Sequence, residues 1–273
     1  MSELKATILC DNNARNSLTP EWGLSVFIEY GGRKLLLDTG ASDVFAKNAD
    51  SLGIDLGGVE YGVLSHAHYD HSDGLDTFFT RNSGAKFYLR DGSAEDCYIK
   101  VLLYKRYIGI RPGTLEKYAD RLVPVSGKYE LFPGAYLLGH TTPQLDECGK
   151  RAHMARRING AWVPDCFAHE QSLVLRTQKG LVIFNSCSHG GADNIIQEAA
   201  AAFPGERLYA YLGGLHLFQS SGKTVRALAD RIKATGIERV ITGHCTGDKA
   251  CRILSEQLGS SLETMYTGYV LDI

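Results

Sequence analysis

A chain of 273 residues, 44% hydrophobic and 22% charged, can bury one large core, and no apolar run approaches the eighteen or so residues of a membrane span. A formal net charge of −2 supplies no overall field for a nucleic-acid backbone, leaving only a local patch such as Arg151, Arg156 and Arg157 to weigh. Seven scattered cysteines without a CxxC pair argue against a disulfide scaffold or zinc ribbon, and the N-terminus lacks the basic and apolar stretches of an export signal, so a reducing cytosol is expected.

The first third reads as strands joined by tight turns. A strand over 6–10 is followed by strands 24–30 and 34–37, joined at Gly31-Gly32 and closed by Asp38-Thr39-Gly40. Ser42 is placed to cap a helix over 43–52 that Gly53 ends, and the apolar run 59–64 then delivers the chain to His66-Ala67-His68-Tyr69-Asp70-His71. Repeated Pro and Gly break up residues 94–164, which read as loops and substrate-side elaboration. A second hairpin, 172–176 and 181–185, ends at Cys187-Ser188-His189.

Beyond it, helix and strand alternate: helix 192–203, strand 208–212, helix 224–235, strand 239–242, helix 248–258 and a terminal strand over 264–271. No short repeat or low-complexity segment appears. Two β-rich halves with helices outside predict an α+β fold, a four-layer αββα sandwich forming one domain over 1–273.

The run 66–71 puts four metal-ligand side chains into six residues at a strand end. On a regular strand His66, His68 and Asp70 would share one face and His71 would point away, so a turn is required for all four to act together. In a chain with 9 His and 31 Asp plus Glu, this spacing arises by chance on the order of once in a thousand chains. His189 and His244 each follow an apolar strand in the same way. His140, in Gly139-His140-Thr141-Thr142-Pro143, competes with His189, while Cys187 reads more simply as a buried thiol. Gly213-Gly214-Leu215-His216 also follows a strand, which makes His216 a candidate acid or substrate contact. Thr246-Gly247 opens a helix, a setting that favours an anion, and Asp165 with His169-Glu170 are candidates to line a pocket.

With Asp38-Thr39-Gly40 upstream and single histidines downstream, the HxHxDH run resembles the metallo-β-lactamase-fold hydrolases over nearly the whole chain. Tyr107-Ile108-Gly109, His169-Glu170-Gln171-Ser172-Leu173, Cys187-Ser188-His189, Gly213-Gly214-Leu215-His216-Leu217 and His244-Cys245-Thr246-Gly247 resemble the dihydropterin ribofuranosylaminobenzene-phosphate synthase-like subfamily. That resemblance implies one metal on His66, His68 and His189, a second on Asp70, His71 and His244, and Asp38 supporting the ligand loop. Many relatives bridge the metals with a late Asp, but here the strand end reads Asn185-Ser186-Cys187.

The expectation is a hydrolase holding two divalent ions, zinc first with iron or manganese as alternatives. Asp70 and His216 would be the catalytic side chains, acting on a small anionic ester, lactone or phosphorylated molecule, without nucleic acid or membrane as partner. A pterin-pathway transferase with a diphosphate leaving group and a metal-binding sensor without turnover are the rivals. Oligomeric state is not legible.

Overall fold

In the computed structural model, which describes residues 3–273, the first hairpin forms as Ser25–Tyr30 and Arg33–Leu37. Gly31 and Gly32 turn it at φ 56° and 77°, the left-handed pair of a type I′ turn. Its strands join a seven-stranded sheet in the order Val270–Asp272, Leu4–Cys10, Ser25–Tyr30, Arg33–Leu37, Tyr61–Val63, Lys86–Arg90, Leu122–Val125. The second seven-stranded sheet runs Leu262–Thr264, Arg239–Thr242, Leu208–Leu212, Gly180–Phe184, Gln171–Thr177, Ala135–Gly139, Lys128–Phe132.

Side-chain alternation packs these sheets face to face. Leu35 and Leu37 enter the core between them while Leu36 points outward, and Leu173, Leu175, Val182 and Phe184 meet them from the second sheet. Outward-facing Leu36 and Phe87 are covered by Phe45 and Ala49 of helix Val44–Ser51 and by Phe78 of helix Leu75–Arg81. On the other side Val174, Ile183 and Tyr211 lie under helices Ala192–Ala202, Gly222–Ala234 and Asp248–Leu258 through Ile195, Val225 and Leu254. The result is the α+β, four-layer αββα arrangement expected.

Two readings needed correction. Residues 94–164 are far more ordered than loops: a four-stranded antiparallel sheet, in the order Ala161–Pro164, Met154–Ile158, Cys97–Val101, Tyr104–Tyr107, lies over the outer face of the first sheet. Its solvent side carries Lys100, Lys105 and Arg157 and its inner side Cys97, Ile99 and Met154, so short strands with one charged face hid the alternation. Asn159-Gly160, at φ 49° and 81°, is a hairpin turn that the dipeptide itself announces. The expected terminal strand is in fact two, one in each large sheet: Leu262–Thr264 and Val270–Asp272. Thr267 bonds the backbone of Asp11 (2.9 Å) and Gly268 turns at φ 92°, which carries the chain across.

The basic patch does not form as one face, since Arg156 is buried against Asp96 at 2.9 Å while Arg151 and Arg157 are exposed. No helix among the described residues is long and apolar enough to cross a membrane.

Candidate metal centre

Five loops that follow the carboxyl ends of parallel strands gather at one edge of the two sheets, where open α/β sheets commonly place ligands. They carry Asp38, the 66–71 run, Cys187 with His189, His216, and His244. After Tyr61–Val63 the chain turns through one helical turn, Tyr69–Ser72, with His68 at its N-cap. That turn is what brings His71 back to the side occupied by His66 and Asp70. The rings of His66 and His71 come within 4.2 Å, centroid to centroid.

Two groups of ligand-type atoms result. Nitrogens of His66, His68 and His189 lie within 4.8 Å of one another. Beside them, Asp70 Oδ2 stands 3.7 Å from His71 Nε2 and 3.6 Å from His244 Nε2. All six residues expected to be ligands are therefore brought together, and all are buried.

Asp38, fully buried, organises both groups. Its Oδ1 accepts the Ser65 amide (2.7 Å), and its Oδ2 accepts the hydroxyls of Ser65 and Ser186 (2.6 Å each) and faces His71 Nδ1 at 2.8 Å. The Ser65 hydroxyl has one hydrogen, given to Asp38, so its oxygen accepts from His66 Nδ1–H at 2.8 Å. This fixes the tautomer: His66 Nε2 is left as a bare lone pair 3.3 Å from His189 Nε2. Two such nitrogens repel unless a cation or proton sits between them. Nε2 of His68 and His244 and Nδ1 of His189 and His216 are also buried without a hydrogen-bond partner among the described residues. A buried nitrogen without a partner costs about 1–3 kcal/mol, so this donor set suits divalent metal.

Burial first, and then the neighbouring imidazoles, push His66, His68 and His189 well below the usual histidine range. Burial likewise presses His244 down to about 3. Burial opposes a charge on His71 too, but the Asp70 and Asp38 carboxylates outweigh it and raise His71 to about 9. Burial raises Asp70, with His71 pulling the other way.

His140 stands apart from both groups. Its Nε2 pairs with Glu170 (2.6 Å) and its Nδ1 with Glu198 (2.9 Å), so both ring nitrogens are engaged. The same Glu170 accepts the amides of His189 and Gly190 at 2.9 Å each and thereby holds the turn that presents His189. His169 and Asp165 are both buried and paired within the framework, with His169 Nδ1 accepting the Ala67 amide and Nε2 bound to Asp165 at 3.0 Å. Gln171 ties the Leu64 and Tyr88 carbonyls, so His169-Glu170-Gln171 braces three segments of the centre. The Thr246 hydroxyl is tied into the same framework, accepting the Leu215 amide and bonding Thr242.

Four non-glycine residues around the centre, Asp38, Ser188, His216 and His244, have φ between 47° and 59°, a left-handed strain of the kind that collects at functional sites. At Gly213 and Gly214 any β-carbon would collide with the Asn185 carbonyl and the Cys245 thiol, which explains the paired glycines.

A cavity of about 320 Å³ opens above the metal-ligand groups. His216 stands on its wall, half-buried and 4.4 Å from the His189 ring. Trp22, Tyr69, Met154 and Phe218 give it an apolar body, and Arg106, exposed at the rim, is its one basic side chain apart from the histidines. Neither Arg106 nor Trp22 announced itself in the sequence; each stands outside the histidine-bearing motifs.

Comparison with known proteins gives a consistent result. Residues 18–145 match the family described as the metallo-β-lactamase superfamily. A solved metal-dependent hydrolase of the β-lactamase superfamily is 31% identical and superposes with a TM-score of 0.84 over 99% of this chain and 99% of its own. The 7,8-dihydropterin-6-methyl-4-(β-D-ribofuranosyl)-aminobenzene-5′-phosphate synthase of Methanocaldococcus jannaschii is 26% identical over 273 residues, 93% of this chain and 91% of that protein. Zn(2+)-bound PqqB from Methylobacterium extorquens, 14% identical with a TM-score of 0.57 and covering 98% of this chain and all of its own, shares the fold.

Proposed function

We propose that this chain, which belongs to the metallo-β-lactamase superfamily, is a cytosolic single-domain hydrolase that uses two divalent ions against a small anionic ester, lactone or phosphorylated substrate. The observation that carries the reading is the convergence of six buried ligand-type side chains, several with unpartnered nitrogens, beneath an open cavity. His66, His68 and His189 would hold one ion and Asp70, His71 and His244 the other, with zinc the first choice and iron or manganese the alternatives. Two bound ions lower the pKa of water toward roughly 7 and polarise the bond under attack.

The chain's own side chains supply the rest. Asp38 accepts His71 Nδ1–H and so turns the Nε2 lone pair toward the centre. Asp70 adds the negative charge that an all-imidazole group lacks. His216, with Nδ1 unpartnered on the cavity wall, is placed to give a proton to the leaving group. Arg106 at the rim supports an anionic substrate, and the apolar wall supports a body that is at least partly unsaturated or apolar.

Metal analysis of protein purified without added metal, followed by a screen of phosphoesters, lactones and thioesters, tests the reading. At most one ion per metal-replete chain would remove the two-metal basis. One observation favours a second reading, a transferase in pterin chemistry: the relative from Methanocaldococcus jannaschii is named as a synthase. Turnover that requires a pterin would select it, and fully metallated protein inert toward every class would leave a sensor.

A further inference from the structure

The four-stranded sheet has two hairpins that turn on very different residues. Asn159-Gly160 closes one with a dipeptide that such turns favour, whereas the other, between Cys97–Val101 and Tyr104–Tyr107, turns on Leu102-Leu103, with Leu102 at φ 53°. A leucine gains nothing from a left-handed backbone, where its Cβ is crowded, and these two gain nothing from burial either, being 85% and 102% exposed. Half of the large apolar side chains that stand exposed among the described residues sit on this one sheet: Leu102 and Leu103 with Tyr104, Ile158 and Trp162.

The charge around the tip has one sign. Residues 97–107 and 154–164 include Lys100, Lys105, Arg106, Arg156 and Arg157 and no Asp or Glu, in a chain whose formal net charge is −2. All but Arg156 are exposed, and Lys105 Nζ lies 4.3 Å over the Trp162 ring. An apolar tip backed by aromatic and basic side chains matches the layering of an anionic lipid surface, where leucine suits the acyl boundary and Tyr, Trp, Lys and Arg suit the head groups. A second copy of the chain fits less well. Tyr104–Tyr107 is an edge strand, and pairing two such edges would set Lys105 and Arg106 against their own counterparts, the arrangement by which edges resist pairing.

We propose that the Leu102-Leu103 hairpin is a peripheral docking element for an anionic phospholipid surface, its leucines entering the head-group layer and Lys100, Lys105 and Arg157 meeting the phosphates. Docking of this kind needs no spanning helix. Val101 and Arg106, on the two arms of the hairpin, line the cavity above the metal-ligand groups, so a docked hairpin brings the cavity mouth to the lipid surface.

Co-sedimentation of the full-length chain with vesicles tests this, using phosphatidylcholine alone and phosphatidylcholine mixed with phosphatidylserine. The parent should bind the mixed vesicles at least about 10-fold more tightly, and the preference should shrink as salt rises, since each basic side chain near such a surface contributes about 5-fold. Leu102→Ser with Leu103→Ser should weaken binding at least about 10-fold, and Lys100→Glu with Lys105→Glu should abolish the preference for the mixed vesicles. Leu52→Ser, at an exposed leucine outside this sheet, should bind as the parent does. Circular dichroism checks each fold, and the charge-reversal pair carries the test if the serine pair does not fold. Equal binding to the two vesicles, binding to neither, or a serine pair that binds like the parent would overturn the proposal. A chain that ignores both vesicles but forms a dimer that the serine pair splits would overturn it too, and give the tip to a second copy.

Discussion

His66, His68 and His189 form a group of imidazoles alone, whereas His71 and His244 share theirs with the Asp70 carboxylate. Before any metal arrives the first group is neutral, each ring held well below the ordinary histidine range by burial. The second holds a proton: although burial opposes it, Asp70 and Asp38 keep His71 charged up to about pH 9. Two neighbouring sites that share the 66–71 loop therefore meet a metal differently. One offers ready lone pairs; the other must exchange a proton for an ion, and its carboxylate balances whichever cation is present.

The sharpest way to break this contrast is to remove the charge that defines the second group. Asp70→Asn nearly preserves volume but deletes an anionic ligand, so kcat should fall by at least about 10²-fold, some 2.7 kcal/mol, with KM little changed. Steady-state kinetics on the substrate found by screening, alongside metal counting, checks this. A variant that loses its second ion and still turns over at the parental rate would refute the two-metal mechanism.

Next in size is Asp38→Asn. Asparagine tolerates the φ of 59° but cannot accept from Ser65, Ser186 and His71 as the carboxylate does. The ion at the second group should bind about 10–100-fold more weakly, as read by competition with a chelator. Equal weakening at both groups would show that Asp38 acts mainly through Ser65 and His66.

The proton itself gives a third measure. Filling the second group displaces one proton from His71, so its metal affinity should fall by about tenfold per unit as pH drops from about 8 to 6, while the first group changes much less. Parallel pH slopes for the two ions would erase the distinction.

The smallest effect on the centre is expected at His140. Burial opposes its charge, but Glu170 and Glu198 outweigh that and raise it to about 9. Because the folded value lies above the unfolded one near 6.5, this group's stabilisation is fully present below about pH 6.5 and is lost as pH rises through 9, no more than about 3 kcal/mol in all. His140→Gln should flatten that part of the Tm profile and leave both ions bound. Loss of an ion would reinstate His140 as a ligand.

Much of the centre was legible because its chemistry is local in sequence. His66 to His71 carry four ligand side chains in one run, and Gly31-Gly32 announces its turn through its own backbone preference. His189 and His244 were legible only beside that run, since a single histidine after a strand has many ordinary explanations. Asp38 aside, the supporting shell was not legible. Glu170 reaches His140 and His189 from a different strand end, and Arg106 reaches the cavity from a sheet whose charged outer face masked its periodicity. Contacts of that kind depend on how layers stack, which no short window of residues contains.

The centre is also assembled from distant parts of the chain: His66 meets His189 across 123 positions, and Asp11 holds the His244 amide across 233. At ribosomal rates of about 5–20 residues per second, some 10–50 s separate the emergence of Asp11 from that of His244. During that interval the nascent chain displays His66, His68, Asp70 and His71 as an exposed, open-sided chelator with its later partners still unmade. An ion caught then is held by a fragment of either group, in a geometry that belongs to neither. On the two-ion reading, correct loading would then require that early-bound metal exchange quickly, and the metal's own ligand-exchange rate would become part of how this protein matures.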